Sequence, residues 1–198
     1  MASYPAIAAV GTALVNLLKD ASKTEFPQAK FKLFQAADFG DTNQFPAPEG
    51  VTVYLYRVTV NTSRRNLPPR TELDGTRTRP PLPLDLHFLI TPFATSAEKQ
   101  YRLLGWLMRV LEDTPILPAA LLNEMEQDGA FFDPDESVEL QCDPLGLSDM
   151  AILWENLKQI KVLPSVTYVA RMVKINSQTV MKVYEPAQTR EFPFQEMP

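Results

Sequence analysis

The chain of 198 residues is poor in the residues that most often carry catalysis. Its single histidine, His87, excludes an H-E-x-x-H metal helix and every site built on two imidazoles. Its single cysteine, Cys142, excludes an intrachain disulfide and a four-thiolate metal site. Seven scattered glycines form neither a G-x-G-x-x-G fingerprint nor a P-loop, and no serine sits in a G-x-S-x-G elbow. No run of about 20 apolar residues is present, so a membrane-spanning helix is not expected. The first residues lack the positive stretch of a secretory signal, and a leaderless protein made in the cytoplasm is expected. Positive charge is also in deficit: the formal net charge is -5 and the pI is near 5.0, which argues against nucleic acid as a partner.

What the chain has instead is proline, 18 residues of it, gathered between the regular segments as in Pro68-Pro69 and Pro80-Pro81. Its loops are therefore stiff. With 45% hydrophobic and 22% charged residues the composition is that of a globular protein. One domain over 1–176 is expected, followed by a C-terminal extension at 177–198 that is partly extended and docks on a neighbouring subunit. Periodicity predicts a helix over 5–21, with Ser3 able to cap it, and a strand over 30–37 carrying Phe31 and Leu33 on one face. The stretch "VTVYLYRVTVN", 51–61, is the clearest strand. An irregular segment from Ser63 to Pro81 follows, then a strand in "PLDLHFLITPF", 83–93, with Leu84, Leu86, Phe88 and Ile90 on one face. Thr95–Glu98 reads as a capping box opening a helix to about Glu112. Further on come a turn and a helix opened by Pro118, a strand at 137–142, a helix capped by Ser148, a strand at 165–175 and a weak strand at 179–184. The order predicts an α/β (α+β) fold: a mainly antiparallel, mixed sheet flanked by helices.

Asp85 and His87 raise the question of an acid–base pair. They share a strand face about 6.5 Å apart at ~3.3 Å per residue, loose for direct orientation of an imidazole. The sequence offers them no nucleophile, because Cys142 shares the apolar face of its strand with Val138 and Leu140, where a thiol is inert. The acidic run Asp133–Glu136 reads as a solvated turn. A structural role inside the domain is expected for Asp85 and His87, with Asp85 bonded to nearby backbone. No cofactor or metal is expected.

Two features read as interaction surfaces. The helix around Leu103–Leu111 is apolar over more than a stripe, and Trp106 adds to it. Either the segment Ile116–Met125 or another chain covers the extra face. The second is the loop "SRRNLPPRTELDGTRTRPP", in which Arg64, Arg65, Arg70, Arg77 and Arg79 face only Glu72 and Asp74 in an acidic protein. It is either a docking site for an acidic surface or a solvated loop.

The ordered motifs "VYLYRVTVNTSRRN", "LPLDLHFLITPFATSAEKQYRLLGWLMRVLEDTPIL" and "LWENLKQIKVLPSVTYVARMVKI" resemble the cap, or tail-terminator, proteins of extracellular contractile injection systems. The resemblance implies a phage tail-terminator-like fold and a non-enzymatic ring, typically hexameric, that closes the baseplate-distal end of the tube and sheath. It implies as partners further copies of the chain, the inner tube protein and the sheath protein. It also implies assembly into a contractile particle, released by lysis or kept in the cell. Asp85, His87, Gly105, Pro115 and Tyr168 stand in the resembling motifs as signature residues without catalytic roles. The extension with Val180, Val183 and Tyr184 is expected to touch a partner by strand addition. The alternative is a non-enzymatic adaptor of the same particle, at its baseplate or for cargo.

Overall fold

A computed structural model describes residues 4–72, 74–124, 131–157 and 163–182. The first helix, α1 (Ala6–Glu25), buries Val10, Gly11, Leu14 and Leu18 on one face, the spacing of an amphipathic helix. It starts after Pro5 and runs four residues beyond the expected end; Ser3 lies outside the described residues. β1 (Lys30–Phe34) and β2 (Glu49–Val60) then pair in parallel, with Lys30 opposite Gly50 and Phe34 opposite Tyr54. Glycine is required at position 50, because a Cβ there would lie 2.0 Å from the Lys30 carbonyl oxygen. The Ser63–Pro81 segment is less irregular than its sequence, since β3 (Arg70–Thr71) and β4 (Arg77–Thr78) form a small antiparallel ladder.

β5 (Leu82–Ala94) is the central strand, antiparallel to both β2 and β8 (Val166–Ile175). Between them in sequence lie α2 (Ala97–Asp113), β6 (Ile116–Pro118), α3 (Ala119–Leu122), β7 (Ser137–Cys142) and α4 (Leu147–Asn156). The six-stranded order is β1-β2-β5-β8-β7-β6, antiparallel apart from β1–β2. Three local expectations need correction. The α2 cap is Ser96, which accepts from the Lys99 N–H, so Thr95 and Glu98 form no capping box. β6, which ends in Pro118, stands where a turn was expected, and α4 starts at Leu147 with Ser148 already inside it.

Strand alternation divides the core. Leu84, Leu86, Phe88 and Ile90 of β5 pack with Leu14 and Leu18 of α1 and Leu103 and Leu107 of α2. Leu89, on the opposite face, packs with Phe34, Phe39, Trp154 and Leu157. The sheet thus lies between a helical layer and a smaller aromatic layer. Burying one such Leu or Phe stabilises by about 1.5–3 kcal/mol, so β5, buried on both faces, is the best-anchored strand. Among the described residues no helix is long and apolar enough to cross a membrane.

Candidate interaction surfaces and the Asp85–His87 strand

Asp85 sits where β8 carries an extra residue: Leu84 pairs with Val173 and Leu86 with Ala170, so Arg171 and Met172 oppose Asp85 alone. Met172 has φ 63°, the left-handed region that costs a side-chain-bearing residue roughly 1–2 kcal/mol. The Asp85 carboxylate supports that bulge by accepting the Met172 N–H at 3.1 Å. It also accepts the Asn61 amide at 3.0 Å on each oxygen. Asn61 is buried, donates its own N–H to the Pro83 carbonyl, and accepts the Arg64 N–H at 3.1 Å. One carboxylate therefore holds the end of β2, the start of the Arg-rich segment and the β8 bulge together.

His87 does not bond Asp85. Its Nδ1 lies 2.9 Å from the Asp143 carboxylate and its Nε2 3.2 Å from the Thr59 hydroxyl. With Nδ1–H donating to the carboxylate, a neutral ring accepts the Thr59 O–H at Nε2. The ring is mostly covered, the Asp143 side chain less so. The sequence shows His87 without partners; the fold supplies two, from 28 residues upstream and 56 downstream. A hydroxyl, an imidazole and a carboxylate in this order are also the parts of an activated nucleophile. Thr59, however, is the next-to-last residue of the regular strand β2 and not part of a sharp strand-to-helix turn that presents its hydroxyl. The clefts at the β6–β7 edge, against α1 and beside Arg70 are lined by neither Thr59 nor His87. What the three groups do is tie β2, β5 and the loop after β7.

Cys142 is half-buried; burial first, then Glu112 and Asp143, push its thiol pKa up, away from a reactive thiolate. Tyr168 is buried and donates to Glu112 at 2.9 Å, and burial with that bond raises its pKa. The Pro115 carbonyl accepts the Leu140 N–H, and Gly105 faces open space on the exposed side of α2. Trp106 is half-buried against Phe26 and Phe31, with ring centroids 5.3 and 6.2 Å away. At Trp106 the extra apolar face of α2 is thus covered in part by Phe26, just past α1, and by Phe31 of β1; Met125 of the 116–125 segment lies outside the described residues.

The five arginines separate. Arg70 reaches Asp133 at 2.9 Å and Glu72 at 3.1 Å. Burial works against its charge, but the two carboxylates outweigh it and hold its pKa above the ordinary value. The acidic turn is therefore not simply solvated: Asp133 takes Arg70, and Glu136 lies 3.8 Å from Lys174. Arg64, Arg65, Arg77 and Arg79 are exposed, with no side-chain partner among the described residues. The extension begins by pairing with its own chain: Arg79 N–H donates to Thr179, Met181 N–H donates to Arg77, and Val180 lies opposite Thr78. Val180 is 60% exposed, while Val183 and Tyr184 lie outside the described residues. Among the described residues no three His, Cys, Asp or Glu side chains converge as metal ligands.

The Pvc16 N-terminal domain family model matches residues 9–189. The chain belongs to that family. Two solved structures share the fold of this Pvc16 N-terminal domain. The sheath/tube terminator of the extracellular contractile injection system PVC, in its extended state, superposes with a TM-score of 0.62 at 12% identity, over 96% of this chain and 64% of that one. The tube-terminating cap of the anti-feeding prophage gives 0.62 and 12%, over 93% and 60%. The chain thus spans less than two thirds of the length of either protein. No protein of curated function matches it by sequence.

Proposed function

We propose that the protein is a structural terminator, a cap that closes the baseplate-distal end of the tube and sheath of a contractile injection particle and stops their growth. The observation that carries this reading is the fold it shares, over 96% of its length, with a sheath/tube terminator. Membership of the Pvc16 N-terminal domain family over residues 9–189 supports it. In this reading the chain works as a homohexameric ring against the inner tube and sheath proteins and holds no substrate. The Asp85 and His87 networks are its internal braces rather than a reaction centre. The exposed Arg64, Arg65, Arg77 and Arg79 form its cationic rim, since exposed charges opposite in sign to the whole protein attract acidic surfaces. Arg79, Val180, Met181 and Lys182 line an open cleft of about 400 Å³ on that rim, where the extension, with Val183 and Tyr184 beyond it, meets a neighbour.

The direct test is to label the protein and locate it on intact particles by electron microscopy. Label at the baseplate-distal end alone, with irregular tube lengths when the protein is withheld from assembly, is the expected result. Label at the baseplate end overturns the reading. Changing Arg77 and Arg79 to Glu is expected to broaden the length distribution, and an unchanged distribution removes those two residues from the contact.

A further inference from the structure

β1 covers β2 only from Gly50 to Tyr54. The chain then leaves the sheet at Gln35 and enters a 3-10 turn at Ala36–Gly40. β2 continues through Leu55–Val60 with β5 on one side and, among the described residues, no backbone on the other. The Asn61 N–H points inward, to Pro83. Antiparallel alternation then turns the N–H and C=O of Thr59 inward as well, and those of Val58 and Val60 outward. The two valine side chains are 44% and 39% exposed. Such an uncovered, β-branched edge is a template for a strand from another chain.

The two ends of the sheet are guarded differently. β6 is three residues long and finishes in Pro118, which donates no hydrogen bond, so that end is blunted. The open half of β2 contains neither Pro nor Gly and is flanked by cations: Arg57 within the strand, Arg64 and Arg65 just past its end. All three are exposed without a side-chain partner among the described residues. Two copies of this edge would bring like charges together, whereas a strand carrying carboxylates is attracted to it. The start of the chain's own extension is already committed, because residues 179–181 pair with β4.

We infer that the outer edge of β2, from Tyr56 to Val60, is a receptor for an extended acidic strand of another protein. That strand bonds the main chain of Val58 and Val60 and sets its carboxylates against Arg57, Arg64 and Arg65. The inference stands apart from the terminator reading, since it follows from the pairing and charge of one strand.

The probe is a synthetic peptide of alternating Glu and Val, with an alternating Lys and Val peptide as control, added to the full chain. The Glu–Val peptide is expected to bind and to slow hydrogen exchange at the Val58 and Val60 amides by at least about tenfold, as pairing into a ladder does. The Arg64→Glu/Arg65→Glu double variant is expected to weaken binding roughly tenfold, and added salt to weaken it in the wild type. Equal binding of both peptides overturns the inference, as does binding that leaves the two amides unprotected. So does protection that arises without peptide and grows with protein concentration, which marks a self-pairing edge.

Discussion

The polar end of β5 and the Arg-rich segment beside it are both breaks in an apolar or acidic background, yet they use their polarity in opposite directions. Asp85 and His87 spend theirs inward, on Asn61, Met172, Thr59 and Asp143. Four of the five arginines keep theirs outward, and Arg70 alone joins the interior pattern. Residue type does not separate the two regions, because a carboxylate next to an imidazole and a cluster of guanidinium groups are both candidate sites. The separating variable is whether a partner lies within bonding distance. A buried donor deprived of its acceptor loses about 1–3 kcal/mol of stability, whereas an exposed charge deprived of nothing loses almost none.

The largest effect is expected at Asp85. Asp85→Ala removes three accepted bonds at once, leaves the buried Asn61 amide without its acceptor, and frees the left-handed Met172 to relax. A loss of about 3 kcal/mol is expected in urea unfolding, with Asp85→Asn losing less because one oxygen still accepts. A loss below about 0.5 kcal/mol would show that the carboxylate is not what holds the bulge.

His87 comes next. His87→Phe keeps the packing against Tyr56, whose ring centre is 6.0 Å away, and deletes both bonds. Here about 1–2 kcal/mol is expected, because Asp143 is partly exposed and water replaces the lost partner. A double-mutant cycle with Thr59→Val measures the hydroxyl's share; additive losses would show that Thr59 and His87 do not act together.

These two residues also show what the sequence can and cannot display. The strand that carries them is legible from Leu84, Leu86, Phe88 and Ile90, and β7 from its alternation, because periodicity is local. The partners of His87 lie 28 and 56 residues away, and no local pattern links them to it. Asn61 gives a weak signal, an amide directly after the clearest strand of the chain. The ladder of β3 and β4 is missed for a different reason: two-residue strands carry no period at all. Thr95 was the natural cap because Glu98 follows it by three, yet Ser96 wins with only a single bond to Lys99. The Arg segment is legible as charge contrast, but not which arginine is taken, since Asp133 is 63 residues from Arg70 in a turn that reads as solvated.

The smallest effects sharpen the comparison most. Arg70→Ala is expected to lose about 1 kcal/mol, less in high salt, since its side chain is largely covered and both partners are lost together. Arg64→Ala and Arg65→Ala are expected to stay within about 0.5 kcal/mol of the wild type at any salt, because neither side chain meets a partner among the described residues. A salt-dependent loss at Arg64 equal to that at Arg70 would mean that both arginines serve the fold, and the cationic rim would then have no charge left to offer a neighbour. The expected split keeps the two roles apart: Arg70 fastens the segment to the Asp133 turn, and the cations beyond the end of β2 stay free for another chain.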